Sequence, residues 1–238
     1  MAQDLYEQSV QLSKKLLGEE HHDTIERIGN LAGLYELQKK YKLAESLYEK
    51  TLQLSKKVLG EKHSKTLLSM NNLAWFYFSQ QEYKKAEPLL IKAIQLNKAV
   101  LGEKHPNTLT MMANLAEIYQ ASGQRDKAEK LWQEHFKFSN KFLNQVLLGA
   151  GEKTRFAYLL QQENIKNNYL SFYSSRNSQK MAVQAFNFSL TRKGQLLIIS
   201  SKGNILAKNS QQPEIKVLVE NFQPKTIIGE FNDFWYSR

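Results

Sequence analysis

The nine residues Leu59-Gly60-Glu61-Lys62-His63-Ser64-Lys65-Thr66-Leu67 return almost unchanged on either side of themselves. The earlier copy is Leu17-Gly18-Glu19-Glu20-His21-His22-Asp23-Thr24-Ile25, and the later one is Leu101-Gly102-Glu103-Lys104-His105-Pro106-Asn107-Thr108-Leu109. Their glycines stand at positions 18, 60 and 102, which are 42 residues apart. A fixed period of this length excludes a single central core. Each unit buries its apolar face only against its neighbours, and the chain grows as a stack.

Within each period the apolar residues recur at helical spacing, which predicts two helices per unit. Helix A runs from Thr24 to about Gln38, from about Lys65 to Gln80, and from Asn107 to Ser122. Helix B runs from Tyr41 to about Leu59, from Tyr83 to Leu101, and from Arg125 to about Phe142. The joints are too short for anything but antiparallel hairpins. Ala32, Ala74 and Ala116 on helix A and Ala44, Ala86 and Ala128 on helix B are small enough to let the backbones approach closely. Tyr35, Tyr77 and Tyr119, with Leu47, Leu89 and Leu131, fill the space around those contacts. Met1 to Leu17 aligns with helix B one period on (Ala2 with Ala44, Leu5 with Leu47, Tyr6 with Tyr48), so the sequence starts with a half repeat. Such a helix either caps the array or stacks on a further unit, and the chain reads as whole or as a fragment of something longer.

The repeated connector reads as a helix stop followed by a start. Gly18, Gly60 and Gly102 are expected to end helix B in a left-handed cap, and Pro106 suits a first helical turn. Gly123 supplies a permissive backbone at the A-to-B turn, where the other units have Lys39-Lys40 and Gln80-Gln81. Pro88 lies near the start of its helix, where it is tolerated.

The pattern Asn-Leu-Ala-x-x-Tyr, present as Asn30-Leu31-Ala32 with Tyr35, Asn72-Leu73-Ala74 with Tyr77 and Asn114-Leu115-Ala116 with Tyr119, resembles the tetratricopeptide repeat. The 42-residue period and the Leu-Gly-Glu-Lys-His-Pro connector are similar to the long subtype of kinesin light chains and many bacterial proteins. The resemblance implies an all-α, right-handed superhelical solenoid over residues 1–143: a half repeat at 1–17, then repeats at about 22–59, 65–101 and 107–143. It also implies a protein-interaction scaffold with no catalytic residues and no cofactor.

After about residue 143 the period is lost, and residues 144–238 read as an irregular helical region. Helices are expected at Val146 to Gln162, Asn164 to Ser175, Ser178 to about Lys193 and Gln211 to Phe222. Leu196 to Ser200 could be helix or strand, and the tail from Pro224 is unassigned. Gly151-Glu152-Lys153-Thr154-Arg155, Tyr169-Leu170-Ser171 and Leu190-Thr191-Arg192-Lys193-Gly194 resemble the connector between tetratricopeptide repeats and a CHAT domain, a caspase-like peptidase module. That resemblance gives a second reading, in which the chain is the regulatory front of such a peptidase.

Composition removes several classes. There is no cysteine, which excludes disulfides, thiolate metal sites and a cysteine nucleophile within this chain. No run approaches the ~18 apolar residues of a membrane span, and the N-terminus lacks a signal-peptide pattern, so a cytoplasmic setting is expected. The formal charge is +10, with the excess denser after residue 150. Lysine pairs such as Lys14-Lys15, Lys56-Lys57 and Lys84-Lys85 look like a basic stripe, but nucleic-acid binding wants basic residues clustered with stacking aromatics, and here acids interleave with them. Nucleic acid is therefore the weakest of the partner classes. No nucleophile elbow, phosphate loop or metal-binding helix pair is visible. His21, His63 and His105 recur with the period, which sets them about 10 Å apart, too far for one ion. The pair His21-His22 could hold a metal weakly, but all these histidines read more simply as connector residues.

The candidate partner-binding residues lie on helix A. Asn30, Asn72 and Asn114 recur at one helical position, and a carboxamide can pair with both the donor and the acceptor of an extended peptide. Their alternative role is to tie neighbouring helices together. Asn71 lies outside the period and would serve this chain specifically. Trp75 and Phe78 stand where the first unit has Gly33 and Glu36 and the third has Glu117 and Gln120. On a groove they would anchor a partner's apolar side chain; the central place of the second unit favours burial against a neighbour instead. Glu117 completes the set.

Overall fold

The residues described by the computed structural model are 2–149 and Phe172. They form seven helices: α1 (Ala2–Leu17), α2 (His22–Leu37), α3 (Tyr41–Leu59), α4 (Ser64–Ser79), α5 (Tyr83–Leu101), α6 (Pro106–Ala121) and α7 (Arg125–Gly149), with no strand among the described residues. The chain divides into two units, Met1–Phe142 and Leu143–Arg238, and the helical array belongs to the first. The four helices expected beyond Val146, the ambiguous run at Leu196 and the segments resembling a CHAT connector lie outside the described residues, apart from the end of α7 and Phe172. Helix α7 itself continues to Gly149, past the point where the period fades.

Helix A is represented by α2, α4 and α6, and helix B by α1, α3, α5 and α7. Hairpins form between α2 and α3 and between α4 and α5, and they stack through α1 on α2, α3 on α4 and α5 on α6. The alanines expected at the crossings, Ala32, Ala44, Ala74, Ala86, Ala116 and Ala128, are completely buried. An added methylene there would force the two backbones apart, at a cost of about 1–3 kcal/mol. Around them the same position is filled by Leu67 and Leu109 on two A helices, with Met70 and Met112 one turn later. Leu47, Leu89 and Leu131 are only half-buried, less than their place in the pattern suggests.

The two kinds of helix end are built differently, and the expectation for helix B needs correction. Gly60 and Gly102 have φ of 85° and 88°, but their ψ values of 161° and 166° are extended. That combination is essentially restricted to glycine and is not the left-handed helical cap anticipated. The reason is directional: the chain must leave helix B straight to reach the next helix, and a left-handed cap would curl it back. Left-handed caps end the A helices instead. The residue at that position is Lys39 (φ 60°), Gln81 (φ 61°) or Gly123 (φ 78°). In the second unit the Gln81 N–H donates to the Phe78 carbonyl at 2.9 Å and the Glu82 N–H to the Tyr77 carbonyl at 2.8 Å, the paired bonds of a Schellman motif. Lys39 and Lys40 repeat this in the first unit, and Gly123 and Gln124 in the third.

The connector histidines are N-caps. His21, His63 and His105 hold extended backbone, and each imidazole Nδ1 accepts the N–H two residues on, at 3.2 Å. The first helical residue is therefore His22, Ser64 or Pro106, one or two positions earlier than the sequence pattern indicates. The connector closes with a threonine: the Thr66 hydroxyl donates to the Gly60 carbonyl at 2.8 Å and Thr108 to Gly102 at 2.9 Å. The corresponding Thr24 hydroxyl is buried and makes no hydrogen bond.

Candidate functional site: the open face of the A helices

Residues at i, i+4, i+7 and i+11 share one side of a helix. On α4 that side carries Leu68, Asn72, Trp75 and Ser79; on α2 it carries Glu26, Asn30, Gly33 and Leu37; on α6 it carries Thr110, Asn114, Glu117 and Ala121. All four residues on α4 are exposed, whereas Leu67, Met70, Leu73, Ala74 and Tyr77 on its other side are buried. The structure thus sets Trp75 on open surface, with 39% of it accessible, against the expectation that it packs away. Phe78 is half-buried beside it, the ring centroids 4.8 Å apart, and Tyr83 at the start of α5 lies 6.0 Å from Phe78. These tilted aromatic contacts hold the indole in place without covering it.

The periodic asparagines divide. Asn30 and Asn72 are exposed on their helices. Asn114 is half-buried, and its Nδ2 donates to Oδ1 of Asn71 at 2.8 Å, which ties α6 to α4. Asn71 and Asn114 therefore hold the stack together, and Asn30 and Asn72 are the pair left facing solvent. The corresponding joint between α2 and α4 has Gly29 in place of a second carboxamide, and a side chain there would press on Thr51 at 3.3 Å. That joint is bridged at its ends instead: Lys65 pairs with Glu26 at 2.9 Å, and the Ser79 hydroxyl donates to Glu36 at 2.9 Å. Glu36 also accepts from the Tyr48 hydroxyl at 2.9 Å. Burial, reinforced by that carboxylate, pushes the Tyr48 phenol well above its ordinary range. Glu117 is half-buried on the same side of α6.

A second polar system went unrecognised in the sequence. The consensus tyrosine of each A helix donates its phenol to a glutamate of the preceding B helix: Tyr35 to Glu7 at 2.6 Å and Tyr77 to Glu49 at 2.9 Å. In the third unit Glu87 takes this part for Tyr119. A lysine lies over each ring, Lys40 at 5.6 Å from the Tyr35 centroid, Lys85 at 4.8 Å from Tyr77 and Lys127 at 5.1 Å from Tyr119. The Glu7 hydrogen bond, then burial, push Tyr35 up to about 12, and burial with Glu87 pushes Tyr119 up to about 12. Burial works to raise Glu87, but Gln124, Lys127 and Tyr119 outweigh it and leave the carboxyl below its usual range. The connector glutamates obey the period too: Glu19 pairs with Lys50 at 2.7 Å and Glu61 with Lys92 at 2.5 Å. Matching Glu19 to Lys50 and Glu61 to Lys92 on the 42-residue grid was the available signal. At the third joint the lysine position is Glu134, which pairs with Lys98 at 2.9 Å instead.

At the first connector, His22 Nε2 lies 3.1 Å from an Asp23 carboxylate oxygen, and His21 offers its Nδ1 to the helix. These three side chains bring their ligand atoms within 4.8 Å of one another. Two of the three are exposed, and His21 is already engaged as a cap.

Helical hairpins of this kind, stacked in register and leaving one side of their A helices open, define an α-solenoid. Residues 1–57, 28–90 and 76–141 match the tetratricopeptide repeat model, and the chain belongs to that family. Among solved structures it is similar to the nearly identical TPR-like repeats of a protein described as a kinesin light chain from Podosopora anserina. The identity is 23%, the TM-score 0.58, and the match covers 89% of this chain and 88% of that one. It is also similar to BtubC (BKLC) from P. vanneervenii, with 18% identity and a TM-score of 0.61, over 89% of this chain and 75% of that one. At these identities the likeness is one of fold. No curated protein matches the sequence. No helix among the described residues is long and apolar enough to cross a membrane.

Proposed function

We propose that the chain is a non-enzymatic interaction scaffold that holds an extended segment of a partner protein along the open side of α2, α4 and α6, in a cytoplasmic setting. The carrying observation is Trp75, exposed, propped by Phe78 and one turn from Asn72. An exposed indole held by neighbouring rings has already lost its rotamer freedom, so it anchors an incoming apolar side chain at low entropic cost. Asn72 and Asn30 stand on adjacent A helices and supply carboxamides that can pair with a peptide backbone passing over them. Asn71, Asn114 and Glu117 contribute by fixing and flanking that surface.

The test is selection of linear peptides on the intact protein, followed by titration of the best peptide into variants. Trp75→Ala should weaken binding by about 30-fold, the equivalent of ~2 kcal/mol, and Asn72→Ala by about 5-fold. Unchanged affinity in both variants, with the helical signal intact, rejects this surface.

A further inference from the structure

At the joint between α2 and α4 the Glu26 carboxylate is balanced by Lys65, but Glu36 is paired with no cation among the described residues. Its partners are two hydroxyls, Tyr48 on Oε2 and Ser79 on Oε1, each at 2.9 Å. Both are neutral, so they fix the carboxylate without cancelling its charge. The single hydrogen of Ser79 is also within reach of the Phe76 carbonyl at 2.8 Å, and each Glu36 oxygen keeps a lone pair for a further donor. Lys40, four residues on, is drawn away to Gln3 and the Tyr35 ring. Glu36 is half-buried, where a charge is screened less than in open water. Ser79 and Trp75 are four residues apart on α4, about 5–6 Å between Cβ atoms, so the Ser79 bond holds the carboxylate within one turn of the exposed indole. Gly33, one turn before Glu36, leaves α2 bare at the position that Trp75 holds on α4; a Cβ added there would meet only the Tyr48 hydroxyl, at 3.4 Å. Glu36, Trp75 and Ser79 all depart from the period: the matching residues are Phe78 and Gln120, Gly33 and Glu117, and Leu37 and Ala121. The joint between α4 and α6 closes without any of the three, so helix packing does not require them.

We infer that Trp75 and Glu36 together receive one arginine of the partner segment, its guanidinium flat on the indole and forked onto the carboxylate. The inference rests on the open side of the A helices binding such a segment, and it names the residue that the anchor takes. Arginine meets both halves of the site at once. Its methylene stem is apolar and covers the indole, while its planar guanidinium stacks on an aromatic face and offers parallel N–H groups to a carboxylate. Lysine carries a point charge and cannot make the fork. An apolar side chain would cover Trp75 but shut the Glu36 charge away from water with no counter-charge, which is costly. An acidic side chain would meet a like charge. The two hydroxyls and the contact of Phe78 with the indole hold both halves in position before the ligand arrives, so little ordering remains to be done on binding.

The experiment starts from the selection of linear peptides on the intact protein and reads the residue at the anchor position of the selected sequences, which should be arginine. In the best peptide that arginine is replaced by citrulline, which keeps the shape and loses the charge, or by leucine. Each peptide is titrated into wild type and Glu36→Gln, with circular dichroism to confirm the fold. The citrulline peptide should bind wild type about tenfold more weakly than the arginine peptide. Glu36→Gln should weaken the arginine peptide by a similar factor and leave the leucine peptide unchanged, whereas a purely structural role for Glu36 would weaken all three alike. The citrulline comparison is made on wild type, so it decides the question even where Glu36→Gln fails to fold. Peptides that carry another residue at the anchor, that ignore Trp75→Ala, or that lose nothing on the change to citrulline or on Glu36→Gln overturn this inference; while Trp75→Ala or Asn72→Ala still weakens them, the binding surface stands. A selection that yields no peptide, or peptides indifferent to both changes, removes the surface and this inference with it.

Discussion

The phenol of Tyr35 joins the half repeat to the first full one, and its removal gives a quantitative test of how the stack is held. In Tyr35→Phe the ring stays buried and only the 2.6 Å bond to Glu7 is lost. A hydrogen bond to a charged acceptor is worth more than a neutral one, but Glu7 lies at the solvent edge, so the expected loss is ~1 kcal/mol at pH 7. The pH dependence identifies the bond. Tyr35 is pushed up to about 12, so its contribution is complete below the unfolded value of about 10 and is lost as pH rises from there through the folded one. Glu7 is held below the usual carboxylate range, first by the Tyr35 bond and then by Gln3. Its contribution is therefore present above the unfolded value of about 4.3 and lost as pH falls below it. The stability difference between wild type and Tyr35→Phe, measured by urea denaturation followed by circular dichroism, should form a plateau from about pH 5 to 10 and shrink on both sides. Hydrogen exchange should show faster opening of α1 in the variant, because the lost bond is one that ties α1 to α2. A difference of zero at pH 7, or one that is unchanged at pH 11.5, refutes this account of the joint.

Three further predictions concern the helix ends. Thr66→Val should cost ~1 kcal/mol because its hydroxyl bonds the Gly60 carbonyl, whereas Thr24→Val, at a hydroxyl without a bond, should be neutral or stabilising in the same denaturation assay. Lys39→Gly and Gln81→Gly should each stabilise by about 0.5 kcal/mol, since both residues hold positive φ, while Gly123→Ala should destabilise by about 1 kcal/mol; thermal melts give the sign. His63→Ala should lose about 1 kcal/mol of N-cap stabilisation, and His63→Asn should recover most of it, because asparagine can accept the same Lys65 N–H.

The period made most of the helical array legible, since a residue that recurs every 42 positions must meet the same neighbours each time. Ala32, Ala74 and Ala116 could be assigned to crossings on that ground alone, and they are fully buried. Departures from the period were harder to read. Trp75 differs from Gly33 and Glu117, and nothing in its own chemistry distinguishes a buried indole from an exposed one; among the described helices none covers that side of α4. Asn114 shares its position with Asn30 and Asn72 but bonds Asn71, a partner that the other two units replace with Gly29 and Ala113. The histidine caps were concealed because imidazole is not among the favoured N-cap side chains. The glycine geometry was concealed because composition reports only that φ can be positive, and ψ is set by where the chain must go next.

The connector has a consequence for how such an array can change length. Its glycine, capping histidine and closing threonine bond only to one another and to the helices they join, and the Glu19–Lys50 and Glu61–Lys92 pairs repeat on the same grid. A block of 42 residues can therefore be excised or duplicated in phase with the connector's own helix stop and start preserved, while the side chains that tie one A helix to the next change with the block chosen. The exception is the last joint, where Glu134 stands in the lysine position and pairs with Lys98, so a block that carries it does not renew the connector pair of the other two.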